Sequence, residues 1–130
     1  MSLAPGLTYE ATTTVTDANT AAAVGSGGVH VFSTPMMIAL MEMASLNAVQ
    51  PYLNPGDTTV GTLVNVSHLA ATPLGQQVRA VARLETVAGK RLVFTVEAFD
   101  ETEKIGQGTH ERYIVTMDKF LARVNQKQKP

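Results

Sequence analysis

The chain has 130 residues, which is the size of one ordinary domain. Its net charge is −1 and only 16% of its residues are charged, so it lacks the basic surplus that is typical of nucleic-acid-binding domains. Cysteine is absent, which excludes disulfide scaffolds and cysteine nucleophiles, and no apolar run reaches the length of about eighteen residues that a membrane span requires.

The first thirty residues predict one strand and one loop. Residues 1–6 lack the basic start and the long apolar stretch of a signal peptide, so we expect a cytoplasmic protein. Thr8–Thr16 is rich in threonine and alternates weakly, which predicts a first strand. Ala21–Gly28 contains only alanine, valine, serine and glycine, and this composition predicts a mobile or compact loop.

A helix is predicted over Pro35–Val49. Thr34 is a natural N-cap, and Pro35 at the first helical position costs no hydrogen bond because the N–H there has no helical partner. Apolar residues occur on all sides of the segment, and Glu42 is its only charge. We therefore expect the helix to be buried nearly all round.

Four further strands are predicted, at Thr58–Ala70, Gln77–Val87, Arg91–Phe99 and Ile105–Met117. Short turns separate most of them, which favours consecutive hairpins in an antiparallel sheet. In the last strand Gly106 and Gly108 indicate a bulge or a close backbone approach. Asp118–Val124 predicts a short terminal helix, and residues 125–130 predict a frayed tail. One helix on one face of the sheet gives a single α+β domain over residues 1–130.

Glu42 and His68 are the strongest candidates for chemistry. A carboxylate in the middle of an apolar helix is costly unless it is paired, protonated or used in a reaction. His68 shares the period-two face of Val64 and Val66, which is expected to look toward the helix. A histidine there is either structural or a partner of Glu42. Thr34, two turns before Glu42, is either a simple cap or a third member of the site.

The other polar residues carry weaker signals. The three histidines show no metal-ligand spacing, so His30 and His110 predict no metal site. The glycines of residues 25–28 are not followed by the lysine of a phosphate-binding loop. Lys90 and Arg91 lie in a predicted hairpin turn, where they are either solvated or in contact with a phosphate.

Four segments together resemble the hotdog-fold acyl-CoA thioesterases, and most closely the fluoroacetyl-CoA thioesterase-like group. These segments are Phe32–Glu42, Val60–Thr62, Val66–Pro73 and Ile105–Arg112. They contain the strings His-x-Ala-Ala-Thr-Pro and Gly-x-Gly-Thr-His-Glu-Arg, and threonine, glutamate and histidine occur in the family's order. The resemblance extends over nearly the whole chain.

The resemblance implies a hotdog fold, in which a curved antiparallel sheet of about five strands wraps one long helix. It implies a homodimer or a dimer of dimers, with the active sites near the subunit interface. By position, Thr34, Glu42 and His68 match the family's catalytic residues. Gly61 matches a glycine whose N–H helps to hold the thioester carbonyl or the water, and Arg112 matches an arginine near the site. An acyl-CoA is the implied substrate, and no cofactor is expected because CoA is part of that substrate.

Thioester hydrolysis suits these residue types. Glu42 is expected to act as a general base, or as a nucleophile through an anhydride. His68 is expected to carry a proton, and the Thr34 hydroxyl to position the substrate or hold the oxyanion at the positive end of the helix. A threonine nucleophile stays open at this stage. Two other functions also stay open, namely a hotdog hydratase or dehydratase and a non-catalytic acyl-CoA-binding module.

One region departs from the fluoroacetyl-specific pattern. The family's specific enzyme carries a longer lid with aromatic residues before the helix, whereas Ala21–His30 is short and rich in glycine. Without aromatic side chains this segment is poorly suited to close a water-free pocket. We therefore expect a small or moderate acyl group as substrate, without selectivity for the fluorinated one.

Overall fold

A computed structural model describes residues 2–128 as one antiparallel sheet of five strands with a long helix packed on one face. The elements in chain order are β1 Thr8–Thr14, α1 Ala21–Val24, α2 Thr34–Val49, β2 Asp57–His68, β3 Gln77–Ala88, β4 Arg91–Phe99, β5 Lys104–Thr116 and α3 Met117–Asn125. A 3₁₀ turn at Gln50–Tyr52 follows α2. This confirms the predicted α+β arrangement.

The strand order in the sheet is β1-β3-β4-β5-β2, and every neighbouring pair is antiparallel. The prediction of consecutive hairpins is therefore wrong for β2 and β3, which lie far apart in the sheet. Residues 69–76 leave the sheet and run beside the start of α2, where the Phe32 N–H donates to the Thr72 carbonyl at 2.9 Å. As a result β2 forms one edge of the sheet.

The core lies between α2 and the inner face of the sheet. On the helix it includes Met37, Leu40, Met41, Ala44 and Ala48. The opposite flank of α2 is uncovered, and Met43 on it is 51% exposed. The prediction that the helix is buried nearly all round is therefore wrong for the single chain. The helix is apolar on all sides, but the sheet reaches only one of them.

The start of α2 differs from the prediction by one residue. Ser33, not Thr34, is the N-cap, and its hydroxyl accepts a hydrogen bond from the Met36 N–H at 3.3 Å. Thr34 is the first helical residue, and its hydroxyl is left for another partner. The loop predicted over Ala21–Gly28 also begins with a helical turn, α1, which ends at Gly25 in the left-handed conformation.

The last strand and the tail follow the sequence more closely. A Cβ atom on Gly108 would collide with the backbone of β2, which confirms the predicted close approach. The terminal helix forms as α3, and all of its residues are exposed. Of the predicted frayed tail, residues 129–130 lie outside the described chain. Within residues 2–128 no helix is both long and apolar enough to cross a membrane.

Candidate active site

Thr34 and His68 meet where the first turn of α2 approaches the end of β2. The Thr34 hydroxyl oxygen lies 2.7 Å from Nδ1 of His68, within hydrogen-bond distance. The contact is possible because Ser33 caps the helix and leaves the Thr34 hydroxyl unused. His68 pairs with Gly106 of β5 and so lies on the inner face of the sheet, as its strand periodicity predicted.

The imidazole of His68 is held mainly in its neutral form. Burial lowers its pKa below the ordinary value of 6.5, and the backbone of Ala70 opposes this effect. A neutral Nδ1 can accept the hydroxyl proton of Thr34, which places the ring proton on Nε2. That Nε2 atom is buried and has no hydrogen-bond partner within residues 2–128. A buried polar atom without a partner is costly, and such atoms are often found at functional sites.

A bulge in β2 turns Gly61 toward the helix. Gly61 pairs with Arg112 and Leu63 pairs with Glu111, so Thr62 between them has no partner across the strands. Without this extra residue, Gly61 would face away from the side that carries His68, because side chains alternate along a strand. The bulge therefore brings Gly61 and His68 to the same inner face.

Glu42 lies against this bulge. A Cβ atom on Gly61 would stand 3.3 Å from the Glu42 carboxylate, so glycine leaves the space beside that carboxylate open. Nη1 of Arg112 is 3.8 Å from Oε2 of Glu42. The Glu42 side chain is 42% exposed and the Arg112 side chain only 7%. The carboxylate thus faces a buried cation on one side and open space on the other.

Arg112 is fixed by a buried network. Its Nε donates to the Thr59 hydroxyl at 2.7 Å, and its Nη2 donates to the Thr59 carbonyl at 2.9 Å. Its Nη1 lies 3.2 Å from Nε2 of His110, while Nδ1 of His110 lies 2.7 Å from the Leu63 carbonyl. Because a carbonyl only accepts, Nδ1 carries the proton and Nε2 accepts from the guanidinium. His110 thereby joins Arg112 to the bulged strand.

The electrostatics of this network agree with its hydrogen bonds. Burial lowers the pKa of His110 below 6.5, the Leu63 carbonyl opposes this, and the nearby Arg112 charge lowers it further. The ring is therefore neutral near pH 7, as an acceptor for Arg112 must be. Burial also lowers the pKa of Arg112, and Glu42 opposes that shift. A guanidinium remains charged despite such a shift, because its ordinary pKa is so high.

The predicted site residues thus form two groups on one inner face. Thr34 pairs with His68, and Glu42 lies with Gly61 and Arg112. No hydrogen bond links Glu42 to His68 within the described chain, so the direct pair that the sequence suggested is not formed. Thr34 and Glu42 are two turns apart, about 12 Å along the helix at 1.5 Å per residue.

A cavity of about 380 Å³ opens beside the Thr34–His68 pair. Its walls come from α1 and the loop after it, from the start of α2 and from the segment after β2. Its larger apolar lining side chains are Val29, Val31, Phe32 and Leu69, and the others are small or polar and include Ala21, Ser26 and Ala70. The cavity is the natural place for the part of a ligand that reaches Thr34.

Sequence reasoning missed two members of the site. His110 was rated weak because it showed no metal spacing, and Thr59 was not considered. A signal for His110 was present, since it stands two residues before Arg112 and must share its face on a strand. Thr59 carried no comparable signal, because its contact with Arg112 depends on the pairing of β2 with β5.

Comparison with known sequences agrees with the family resemblance of the four sequence segments. Residues 15–118 match the model of the fluoroacetyl-CoA-specific thioesterase family. The fluoroacetyl-CoA thioesterase of Streptantibioticus cattleyicolor is 47% identical over 98 residues, which are 75% of this chain and 70% of that protein.

Solved structures confirm the predicted hotdog fold. A structure of the fluoroacetyl-CoA thioesterase FlK superposes with a TM-score of 0.92 at 36% identity, covering 99% of this chain and 100% of that one. A thioesterase superfamily member from Thermus thermophilus gives 0.87 at 34% identity, covering 95% and 91%. A hot-dog-like protein from Thermanaerovibrio acidaminovorans also gives 0.87, at 23% identity, covering 97% and 93%, and supports the fold alone.

Proposed function

The chain belongs to the fluoroacetyl-CoA-specific thioesterase family, and on this premise we propose that it hydrolyses an acyl-CoA with Thr34, Glu42 and His68 as its catalytic residues. The activity itself, acyl-CoA thioester hydrolysis, follows from the family. The observation that carries the residue assignment is the position of Glu42, a carboxylate on an apolar helix that faces Gly61 and a buried arginine. A variant of FlK has been solved with fluoroacetate and CoA, which supports the substrate class.

In the proposed reaction, Glu42 takes a proton from a water molecule as the water oxygen attacks the thioester carbonyl carbon. The negative charge that develops on the carbonyl oxygen is stabilised by the Gly61 N–H and by the charge of Arg112. The C–S bond then breaks, and His68 is the proposed carrier of the proton that the departing thiolate takes. Because Thr34 and Glu42 lie about 12 Å apart along α2, this step requires the Thr34–His68 pair and Glu42 to come from the two copies of the proposed dimer. Thr34, hydrogen-bonded to His68, positions the ring and the substrate.

A covalent route uses the same groups. The Glu42 carboxylate attacks the carbonyl carbon, the C–S bond breaks, and the thiolate takes its proton through His68, which leaves an acyl–glutamate anhydride for water to hydrolyse. Attack by Thr34 would leave an acyl ester on that residue instead. Mass spectrometry of acid-quenched protein distinguishes the routes, because a general base leaves no acyl adduct on either peptide.

The site belongs, in this proposal, to a homodimer or a dimer of dimers. Edge strand β2 has an unpaired side, and Leu63 and Val64 on it are 45% and 41% exposed. A second copy that pairs along β2 would cover these side chains. Sedimentation at micromolar concentration should then show no dominant species of 13.8 kDa.

We also propose a cytoplasmic enzyme that needs no metal or other cofactor, with CoA entering only as part of the substrate. The decisive assay is release of free thiol from acetyl-, butyryl- and crotonyl-CoA, each followed with a thiol reagent. Thiol release supports the proposal. Loss of the enoyl absorbance of crotonyl-CoA without thiol release would instead indicate a hydratase, and neither signal would indicate a binding module.

A further inference from the structure

A groove at the end of β5 gathers positive charge. It has a volume of about 300 Å³ and lies between the turn from β3 to β4, the last residues of β5 and the exposed helix α3. Three cations line it, Lys90, Lys119 and Arg123, together with the aromatic rings of Tyr113 and Phe120. Among the described residues, none that lines the groove is a carboxylate.

These cations differ from most others in the chain. Within residues 2–128, five basic side chains form salt bridges with carboxylates: Arg79, Arg83, Arg91, Lys104 and Arg112. The other four are Lys90, Lys119, Arg123 and Lys127, and only Lys127 lies outside the groove. In a chain whose net charge is −1, three unpaired cations around one groove create a local positive potential.

Of the nearby carboxylates, Asp57 accepts a hydrogen bond from the Thr116 hydroxyl, a groove residue, at 3.2 Å, and it offsets part of this potential without lining the groove. Glu111 on β5 is bound by Arg91, with the guanidinium Nε 2.9 Å from the carboxylate. Asp118, in the first turn of α3, stands at the helix end where a negative charge is favoured and does not line the groove. The groove is thus built to receive an anion and a flat ring.

The groove also lies close to the proposed active site along β5, with the Tyr113 side chain on the face of the sheet opposite to that of Arg112. Arg112 lies beside Glu42, and the next two residues of β5, Tyr113 and Ile114, already line the groove. At about 3.3 Å per residue along a strand, it begins within about 10 Å of Arg112. An acyl-CoA carries its thioester at one end and a diphosphate, a 3′-phosphate and an adenine at the other. A flexible arm joins the two ends.

We propose that this groove binds the phosphorylated adenosine end of the acyl-CoA substrate, an inference that rests on the proposed thioesterase function. Lys119 and Arg123 contact the phosphate oxygens from α3, and Lys90 contacts them from the opposite side. Tyr113 and Phe120 offer ring faces on which adenine stacks.

The test pairs two variants with two substrates. Lys119→Ala combined with Arg123→Ala removes two groove cations from the exposed surface of α3, whereas Lys127→Ala removes an unpaired cation outside the groove. Each protein is assayed with butyryl-CoA and with S-butyryl-N-acetylcysteamine, which has the same thioester but no nucleotide. Binding of free CoA is measured by calorimetry in parallel.

The double variant should raise KM for butyryl-CoA and weaken CoA binding roughly tenfold, because two charge-assisted phosphate contacts are lost. Its kcat, and its kcat/KM for the truncated ester, should match the wild-type protein, as should every value for Lys127→Ala. An unchanged KM for butyryl-CoA, or an equal loss on both esters, would overturn the groove assignment while leaving the thioesterase function standing. If the wild-type protein releases no thiol from either ester, the thioesterase function fails, and CoA binding alone then decides the groove assignment.

Discussion

Thr34 and His68 are joined by a single hydrogen bond, and Thr34 is exposed, whereas Arg112 is buried and is held by three hydrogen bonds to Thr59 and His110. The first pair stands at the mouth of a cavity. The second group is built into the sheet, where β2 and β5 fix it. The proposed site thus combines an open part with a rigid part.

In the proposed reaction, this difference gives the two groups separate roles. A charge that stabilises a transition state acts best when it does not have to move during the reaction, and the network around Arg112 meets that condition. A group that exchanges protons with the substrate needs to border the space where the substrate binds, and the Thr34–His68 pair lines the cavity. The predictions below test whether the two groups contribute in these separate ways.

Replacement of Glu42 should have the largest effect. Glu42→Gln keeps the volume of the side chain but removes the charge that a base or nucleophile requires, so kcat should fall by about 10²–10⁴-fold. The fold should be intact by circular dichroism. Glu103→Gln, an exposed carboxylate in the turn before β5, is the matched control and should be neutral. Activity of Glu42→Gln within a few-fold of wild type would refute its role.

The Thr34–His68 pair should come next. His68→Ala should lower kcat by about 10²-fold, and Thr34→Ala should be more severe than Thr34→Ser, which keeps the hydroxyl. Ser33→Ala separates catalysis from capping, because it removes the N-cap and leaves Thr34 in place. It should cost about 1 kcal/mol of unfolding free energy and little kcat. A loss of kcat in Ser33→Ala as large as that in Thr34→Ala would mean that Thr34 matters only as part of the helix start.

His110 should act through Arg112 rather than on the substrate. His110→Phe removes both of its hydrogen bonds, leaves Arg112 misoriented, and should lower kcat roughly tenfold or more with little change in KM. Buried groups left without partners cost about 1–3 kcal/mol of unfolding free energy each. Partial recovery of kcat in His110→Asn would support a positioning role. His30→Phe, at an exposed histidine, is the control for stability.

Stability should depend on pH because the folded pKa values of His68 and His110 lie below their ordinary 6.5. The unfolded chain then binds more protons, so this stability is fully present above about pH 6.5 and is lost progressively as the pH falls below that value. Glu42, Glu111 and Arg112 also act on His110, and this balance sets the lower end of the range. Urea unfolding at pH 7.5 and 5.5 measures the loss, which should shrink in His110→Phe. A stability that rises as pH falls would contradict this view.

The sequence predicted most of the fold because its strongest signals are local. The apolar run of α2 and the alternation of β3 and β4 gave boundaries within about a residue of those observed. The strand order depends on long-range pairing, which leaves no local mark. The bulge at Thr62 is likewise decided by what β5 presents to β2. Because that bulge turns Gly61 inward, the geometry beside Glu42 could not be predicted from the sequence alone.

The choice between Ser33 and Thr34 as N-cap shows the same limit on a smaller scale. Both residue types cap helices well, so local propensity does not separate them. The two contacts occur together, because the Thr34 hydroxyl is hydrogen-bonded to the distant His68 of β2 while Ser33 caps the helix. Thr34 therefore stays a predicted site residue, whereas its predicted role as the cap is wrong.

The smallest expected effect is the preference among acyl groups. The segment that walls the open part of the site, from Ala21 to His30, has no aromatic side chain, and its glycines raise the entropic cost of ordering it as a lid. Discrimination by fit alone, at about 1–3 kcal/mol for such a small change, then limits the preference for fluoroacetyl-CoA over acetyl-CoA. Butyryl- and phenylacetyl-CoA should also be accepted, because Ala21, Ser26 and Ala70 leave room beside Thr34. Measured kcat/KM values for the four thioesters test this expectation. A preference for fluoroacetyl-CoA above about a thousandfold is more than fit alone supplies, and it would show that residues 21–30 close over the bound substrate.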